Sequence, residues 1–213
     1  MLKIKVKAGS ITNLTDARYF AAREVEWLGF PIGVGDGLIE PVKVKAIAEW
    51  VDGVKIVGEF GFATPEEIRD LSQQIGLDAV QVGMFISQNE IKELKGLTVI
   101  KEVVASVELS EIELEDHLDA YADYCDFFLL NFSAAGHNWN DVEAGHPFTI
   151  DFIKDLCERH RIILNLDCQN NEVARMISEI NPFAIGISGG EEEQVGVKSF
   201  DDLDEILDVL EMD

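Results

Sequence analysis

Short runs of β-branched and apolar residues alternate with amphipathic segments about every 25 residues from one end of this chain to the other. Alternation of that kind means strand–helix units on a parallel sheet, since each crossover between parallel strands needs a covering helix. Strands are expected at 4–8, 27–32, 54–59, 79–83, 98–104, 127–131, 162–166 and 184–188. Helices are expected at 16–26, 41–50, 65–75, 89–94, 109–121, 149–160, 172–180 and 200–210. Pro41 and Pro65 stand where proline suits a first helical turn, and Thr64 can cap the helix that starts at Pro65. Eight such units in 213 residues is the count of a closed barrel, so the expected fold is α/β, a single (β/α)8 TIM barrel over residues 1–213. An open doubly wound sheet is the rival topology. The longest irregular stretch, 132–147, contains Gly136 and Gly145. On a barrel it belongs to the active face unless it is a solvated excursion.

Charge and cysteine usage restrict the partners. With 41 acidic against 17 basic residues the formal charge is −24, which repels nucleic acid and anionic membranes, so neither is expected as a partner. No apolar run approaches the roughly 18 residues of a membrane span. Met1 to Lys7 alternates apolar and basic residues at strand period and lacks the apolar core of a secretory signal. Cys125, Cys157 and Cys168 are odd in number and form no CxxC pair, which argues against a disulfide framework or a cysteine zinc site and for a reducing cytoplasm. No cofactor and no metal are expected; oligomer formation is left open.

Three stretches resemble one family. Val6-Lys7-Ala8-Gly9-Ser10-Ile11-Thr12-Asn13-Leu14-Thr15-Asp16-Ala17 is similar to the V-K-I-C-G-I-T-N-L-x-D-A opening of phosphoribosylanthranilate isomerases. Gly76-Leu77-Asp78-Ala79-Val80-Gln81 is similar to their L-D-A-V-Q-L-H-G strand. Pro182-Phe183-Ala184-Ile185-Gly186-Ile187-Ser188-Gly189-Gly190-Glu191 with Gly196-Val197-Lys198 resembles their V-D-V-S-S-G-V-E…P-G-K-K-D segment. The resemblance implies a (β/α)8 barrel carrying out an Amadori rearrangement in tryptophan biosynthesis, which needs a general acid for the ring oxygen and a general base for the C2 proton. It places the base, a cysteine, at Gly9, or at Ala8 if Ser10 is an insertion. The acid, an aspartate in L-L-D, falls on Leu129-Leu130-Asn131, and asparagine keeps the shape but delivers no proton.

The ligand side departs as well. Where the family has a Gly-Gly phosphate turn after strand seven, this chain reads Asn165-Leu166-Asp167-Cys168-Gln169. A phosphate about 4 Å from Asp167 would cost roughly 1–4 kcal/mol per charge pair. The family's histidine in L-H-G is replaced, since Gln81 is followed by Val82-Gly83-Met84, and its arginine-bearing second loop has become Gly33-Val34-Gly35-Asp36-Gly37. Ser188-Gly189-Gly190 could form a backbone anion nest, or be a turn that needs glycine for geometry alone.

A small molecule is expected at the C-terminal mouth of the barrel. Glu59, Gln81, Lys101, Asn131, Asp167 and Ser188 lie at or near strand C-termini, where barrel active sites sit. Glu59, Lys101 and Asp167 are the candidate replacements for the missing proton carriers, and Gln81, Ser188, Gly189 and Gly190 the candidate ligand-binding residues. Cys168 could supply a thiol or be buried and inert, and His137 and His146 match no metal-ligand spacing. Three functions remain: a diverged isomerase relative with weak or lost Amadori activity, an enzyme of another class at the same mouth, or a non-catalytic acidic partner or regulatory protein.

Overall fold

The computed structural model describes residues 2–188, 192–194, 197–198 and 200–211. Eight parallel strands close on themselves: β1 (Lys5–Gly9), β2 (Trp27–Pro31), β3 (Lys55–Phe60), β4 (Ala79–Val82), β5 (Val99–Val104), β6 (Phe127–Asn131), β7 (Ile162–Asn165) and β8 (Ala184–Ser188). The closure is made by β8 against β1, in register from Lys5 opposite Ala184 to Gly9 opposite Ser188. The expected closed barrel is therefore the fold, and the open sheet is excluded.

Helices cover the outside: α1 (Leu14–Ala22), α2 (Pro41–Ala48), α3 (Pro65–Ile75), α4 (Gln88–Glu93), α5 (Glu111–Tyr121), α6 (Trp139–Glu143), α7 (Ile150–Arg159), α8 (Asn170–Ile180) and α9 (Asp201–Leu210). Their starts are chemically specified. Thr64, Ser87 and Ser110 each accept the backbone N–H of a glutamate three residues on, and that glutamate reaches back to the cap. The first helix starts and stops earlier than its sequence pattern suggests. Asn13 caps it, and the chain turns out at Glu24, whose φ of 56° is left-handed.

The stretch 132–147 is not irregular. It holds a 3-10 turn, Ser133–Ala135, and α6, whose Trp139 is fully buried. The Trp139 N–H donates to the Asp167 carbonyl at 2.8 Å, so the β6 and β7 loops are tied together. A short antiparallel pair, β9 (Glu192–Gln194) with β10 (Val197–Lys198), follows the last barrel strand.

Two apolar layers hold the barrel. One lies between strands and helices and includes Val6, Ala8, Leu28, Phe30, Leu130 and Leu164. The other fills the barrel itself, where Trp27, Val57, Ala79, Ile100, Leu129, Ile163 and Ala184 pack together with Phe127 and Phe183. Burying each large side chain contributes about 1.5–3 kcal/mol. This plug closes the lower barrel, so anything bound inside must enter from the C-terminal mouth.

Candidate active site

Above the plug the inward positions change from apolar to polar. Because strand side chains alternate, the residues two places beyond the plug positions also face inward. Val57 is thus followed by Glu59, Ala79 by Gln81, Ile100 by Glu102, Leu129 by Asn131 and Ile163 by Asn165. On β1 the same parity brings in Lys7 and Gly9. These residues, with Ser188 at the rim, line a cavity of about 240 Å³.

Two linked groups of side chains fill its walls. Buried Lys7 donates to Glu59 Oε1 at 2.5 Å, and the Ser10 backbone N–H donates to Glu59 Oε2 at 3.1 Å. Two glycines make room for this pair. A Cβ on Gly29 would overlap the Glu59 carboxylate, and one on Gly9 would lie 3.1 Å from Glu59 Oε1 and 3.3 Å from Lys7 Nζ. Glu59 thus occupies the space beside position 9 into which a side chain there would project.

Across the cavity, Glu102 accepts from Asn131 Nδ2 at 2.6 Å and from Gln81 Nε2 at 3.2 Å. Asn131 Oδ1 in turn accepts from Asn165 Nδ2 at 2.9 Å and from the Ala134 N–H at 3.0 Å. Asn131 is therefore committed on both sides of its amide.

Of the residues singled out from sequence, Gly9, Glu59, Gln81, Asn131 and Ser188 come together on this cavity. Gly189 and Gly190 lie outside the described residues. Asp167 stands at the same end of the barrel but beside the cavity, accepting from Ser133 Oγ at 2.8 Å. With its neighbours Leu166 and Cys168 it lines an adjoining, largely apolar space of about 290 Å³ under α8 and α9, which shares Asn165, Gly186, Ile187 and Ser188 with the first.

Lys101 is a correction. Its strand neighbours Ile100 and Glu102 point inward, so Lys101 points out into the helix layer, where it is fully buried. Its ammonium donates to the Met84 carbonyl at 3.0 Å and the Gly83 carbonyl at 3.4 Å and sits over the Tyr121 ring at 4.3 Å. Burial lowers its pKa to about 8, partly offset by nearby Cys125. It cannot reach a ligand in the cavity. Cys168 is not a substitute thiol either, because burial and the charges of Glu172 and Asp167 push its pKa up to about 12. His137 and His146 approach with ring centroids 6.4 Å apart, and among the described residues no group of three His, Cys, Asp or Glu side chains could hold a metal.

Three polar cavity side chains were not singled out from sequence: Lys7, Glu102 and Asn165. The signal was parity. Lys7 shares the face of Gly9, and Glu102 takes the inward position that had been given to Lys101.

Comparison with known proteins bears on this geometry. The family model for N-(5'phosphoribosyl)anthranilate (PRA) isomerase matches residues 9–209. The chain belongs to the phosphoribosylanthranilate isomerase family. The isomerase of Rubrobacter xylanophilus is 28% identical over 203 residues, covering 92% of this chain and 93% of that protein. The crystal structure of the Thermotoga maritima isomerase superposes with a TM-score of 0.79 at 25% identity, over 97% of this chain and 98% of that one. Another phosphoribosylanthranilate isomerase structure, with a TM-score of 0.76 and 25% identity over the same shares, is a complex with reduced 1-(O-carboxyphenylamino)-1-deoxyribulose 5-phosphate.

At the first strand the two candidate positions differ in facing. Ala8 is fully buried and packs outward, whereas Gly9 faces the cavity. Ser10, standing where the V-K-I-C-G pattern has glycine, adopts a left-handed φ of 57°. Of the two candidate positions for the cysteine, Gly9 and not Ala8 faces the cavity.

Proposed function

We propose that this chain keeps the isomerase family's barrel and a small-molecule site at its mouth, while its Amadori isomerase activity is weak or lost. One observation supports the reading: Gly9 and Asn131, to which the resemblance assigns the family's base and acid, face one cavity, and neither side chain can carry a proton. Each such group contributes about 10²–10⁴-fold to a proton-transfer reaction. Losses of this kind need not add, but both act in the same direction.

The nearest substitutes are ill suited to the roles. Glu59 lies beside position 9, yet its two oxygens are engaged by the Lys7 ammonium and the Ser10 amide. Glu102 lies against Asn131, and no described Lys, Arg or His stands beside it to hold a phosphate there. The remaining part of the family's ligand chemistry is equally altered, with Asp167 after β7 in place of a glycine turn.

A second reading is an enzyme of another class, which would use the same cavity with Glu59 and Glu102 on opposite walls for a different small molecule. Three cysteines without disulfides suit a reducing cytoplasm as the setting.

The test is complementation of a strain lacking its own isomerase. Wild type should fail to restore growth without tryptophan at ordinary expression, while a known isomerase succeeds. Growth at the control's rate would overturn the proposal.

A further inference from the structure

Glu102 is the one carboxylate on this cavity that lacks a cation. Among the described lining residues the charges are Lys7, Glu59 and Glu102, and Lys7 is spent on Glu59. The two donors on Glu102, Asn131 Nδ2 and Gln81 Nε2, are neutral amides, and no described Lys, Arg or His pairs with it. Gln81 is itself nine-tenths buried on the same wall; its Oε1 is shut off from solvent and has no hydrogen-bond partner, so the group it presents to Glu102 is Nε2. A carboxylate above an apolar plug with only neutral donors is costly, and a positively charged donor relieves that cost.

We propose that the cavity floor binds a small, hydroxyl-bearing primary amine, with its ammonium on Glu102 beside Gln81. The proposal rests on the reading of the mouth as a small-molecule site and goes further by naming the ligand class. Size agrees. A cavity of about 150 Å³ accommodates benzene, so 240 Å³ suits a ligand of roughly ten non-hydrogen atoms. The remaining walls supply Asn165 and Ser188, neutral groups that match hydroxyls and not an aromatic ring. A phosphate or carboxylate in the same place would meet a net charge of −1 from the described lining, the reverse of what the family's anionic ligand requires.

The experiment is isothermal titration of the full chain at pH 7, in a buffer free of primary amines, with two isosteric probes. Tris carries an ammonium where pentaerythritol carries a fourth hydroxymethyl group. Tris should bind about tenfold or more tightly than pentaerythritol, the gain expected of one charge pair at a partly screened site. Glu102→Gln, which keeps shape, should erase that difference; its folding is checked by thermal unfolding without ligand. Ribose 5-phosphate should not displace Tris. Equal binding of the two probes, failure of both to bind, an undiminished preference in Glu102→Gln, or displacement by ribose 5-phosphate would each overturn the assignment. The comparison of the two probes needs only wild type, so it stands if the variant does not fold. Isomerase turnover is a separate measurement, and its outcome does not alter this one.

Discussion

Restoring the family's acid by Asn131→Asp should by itself damage the protein, in a way that pH reveals. Asn131 Nδ2 lies 2.6 Å from Glu102 Oε1, so the replacement puts two carboxyl oxygens at hydrogen-bond distance in a half-buried wall. Two unit charges about 4 Å apart repel by about 4 kcal/mol at an effective dielectric of 20, and these would start closer. The pair escapes by holding one shared proton, which raises the apparent pKa of the dyad in the folded state above that of the unfolded chain. The folded state then binds more protons than the unfolded one from about pH 4 upward, so stability falls as pH rises. A shift of about two to three units corresponds to about 3–4 kcal/mol in all at 1.36 kcal/mol per unit, of which about 1.5–2.5 kcal/mol is lost between pH 5 and pH 8. Urea unfolding of wild type and Asn131→Asp at both pH values reads this directly. Adding Glu102→Gln should remove most of the pH-dependent loss. If Asn131→Asp tracks wild type at both pH values, the Glu102–Asn131 contact does not exist as described. Any variant meant to recover isomerase activity must therefore combine Gly9→Cys and Asn131→Asp with Glu102→Gln.

Lys101 gives a second pH signature of opposite sign. Its pKa of about 8 lies below the unfolded value near 10.4, so wild-type stability should climb by up to about 3 kcal/mol between pH 8 and 10.5. In Lys101→Met that component of the climb should vanish, as measured by the difference in urea midpoints between the two proteins; identical slopes would contradict it. Gly29→Ala forces a methyl into the Glu59 carboxylate and should cost about 1–3 kcal/mol, while Gly9→Ala, with its Cβ at 3.1 Å and no left-handed φ, should cost less. The reverse order in thermal unfolding would rule out this packing of the Lys7–Glu59 pair. Inorganic phosphate should bind no better than millimolar, about −4 kcal/mol, in a titration at physiological salt; micromolar affinity would mean the local field is misjudged.

The barrel could be read in the sequence because every strand is buried on both faces and so stands out as a short apolar run, with caps such as Thr64–Glu67 marking where helices begin. Helix ends were less legible. Asp16 to Glu26 carries a helical pattern, but the left-handed turn at Glu24 is imposed by the need to enter β2. The short helix Trp139–Glu143 could not be seen, since it forms where the chain meets the Asp167 backbone, a contact far away in sequence. At the site, residue type was readable and facing was the difficulty. Choosing Lys101 over Glu102 is an error of one residue, and one residue reverses the side of the sheet. Lys7 lay hidden in a run of alternating lysines at the first strand, where only pairing with Glu59 distinguishes it from its solvent-facing neighbours.

The most direct test is steady-state turnover of phosphoribosylanthranilate by the purified chain, followed by loss of substrate fluorescence beside a family enzyme as control. If Gly9 and Asn131 stand at the base and acid positions, as proposed, wild type should run orders of magnitude below the roughly 1 s⁻¹ of an ordinary enzyme. Turnover at or above that rate would contradict the account, and would mean that Glu59 and Glu102 carry the protons their neighbours have lost.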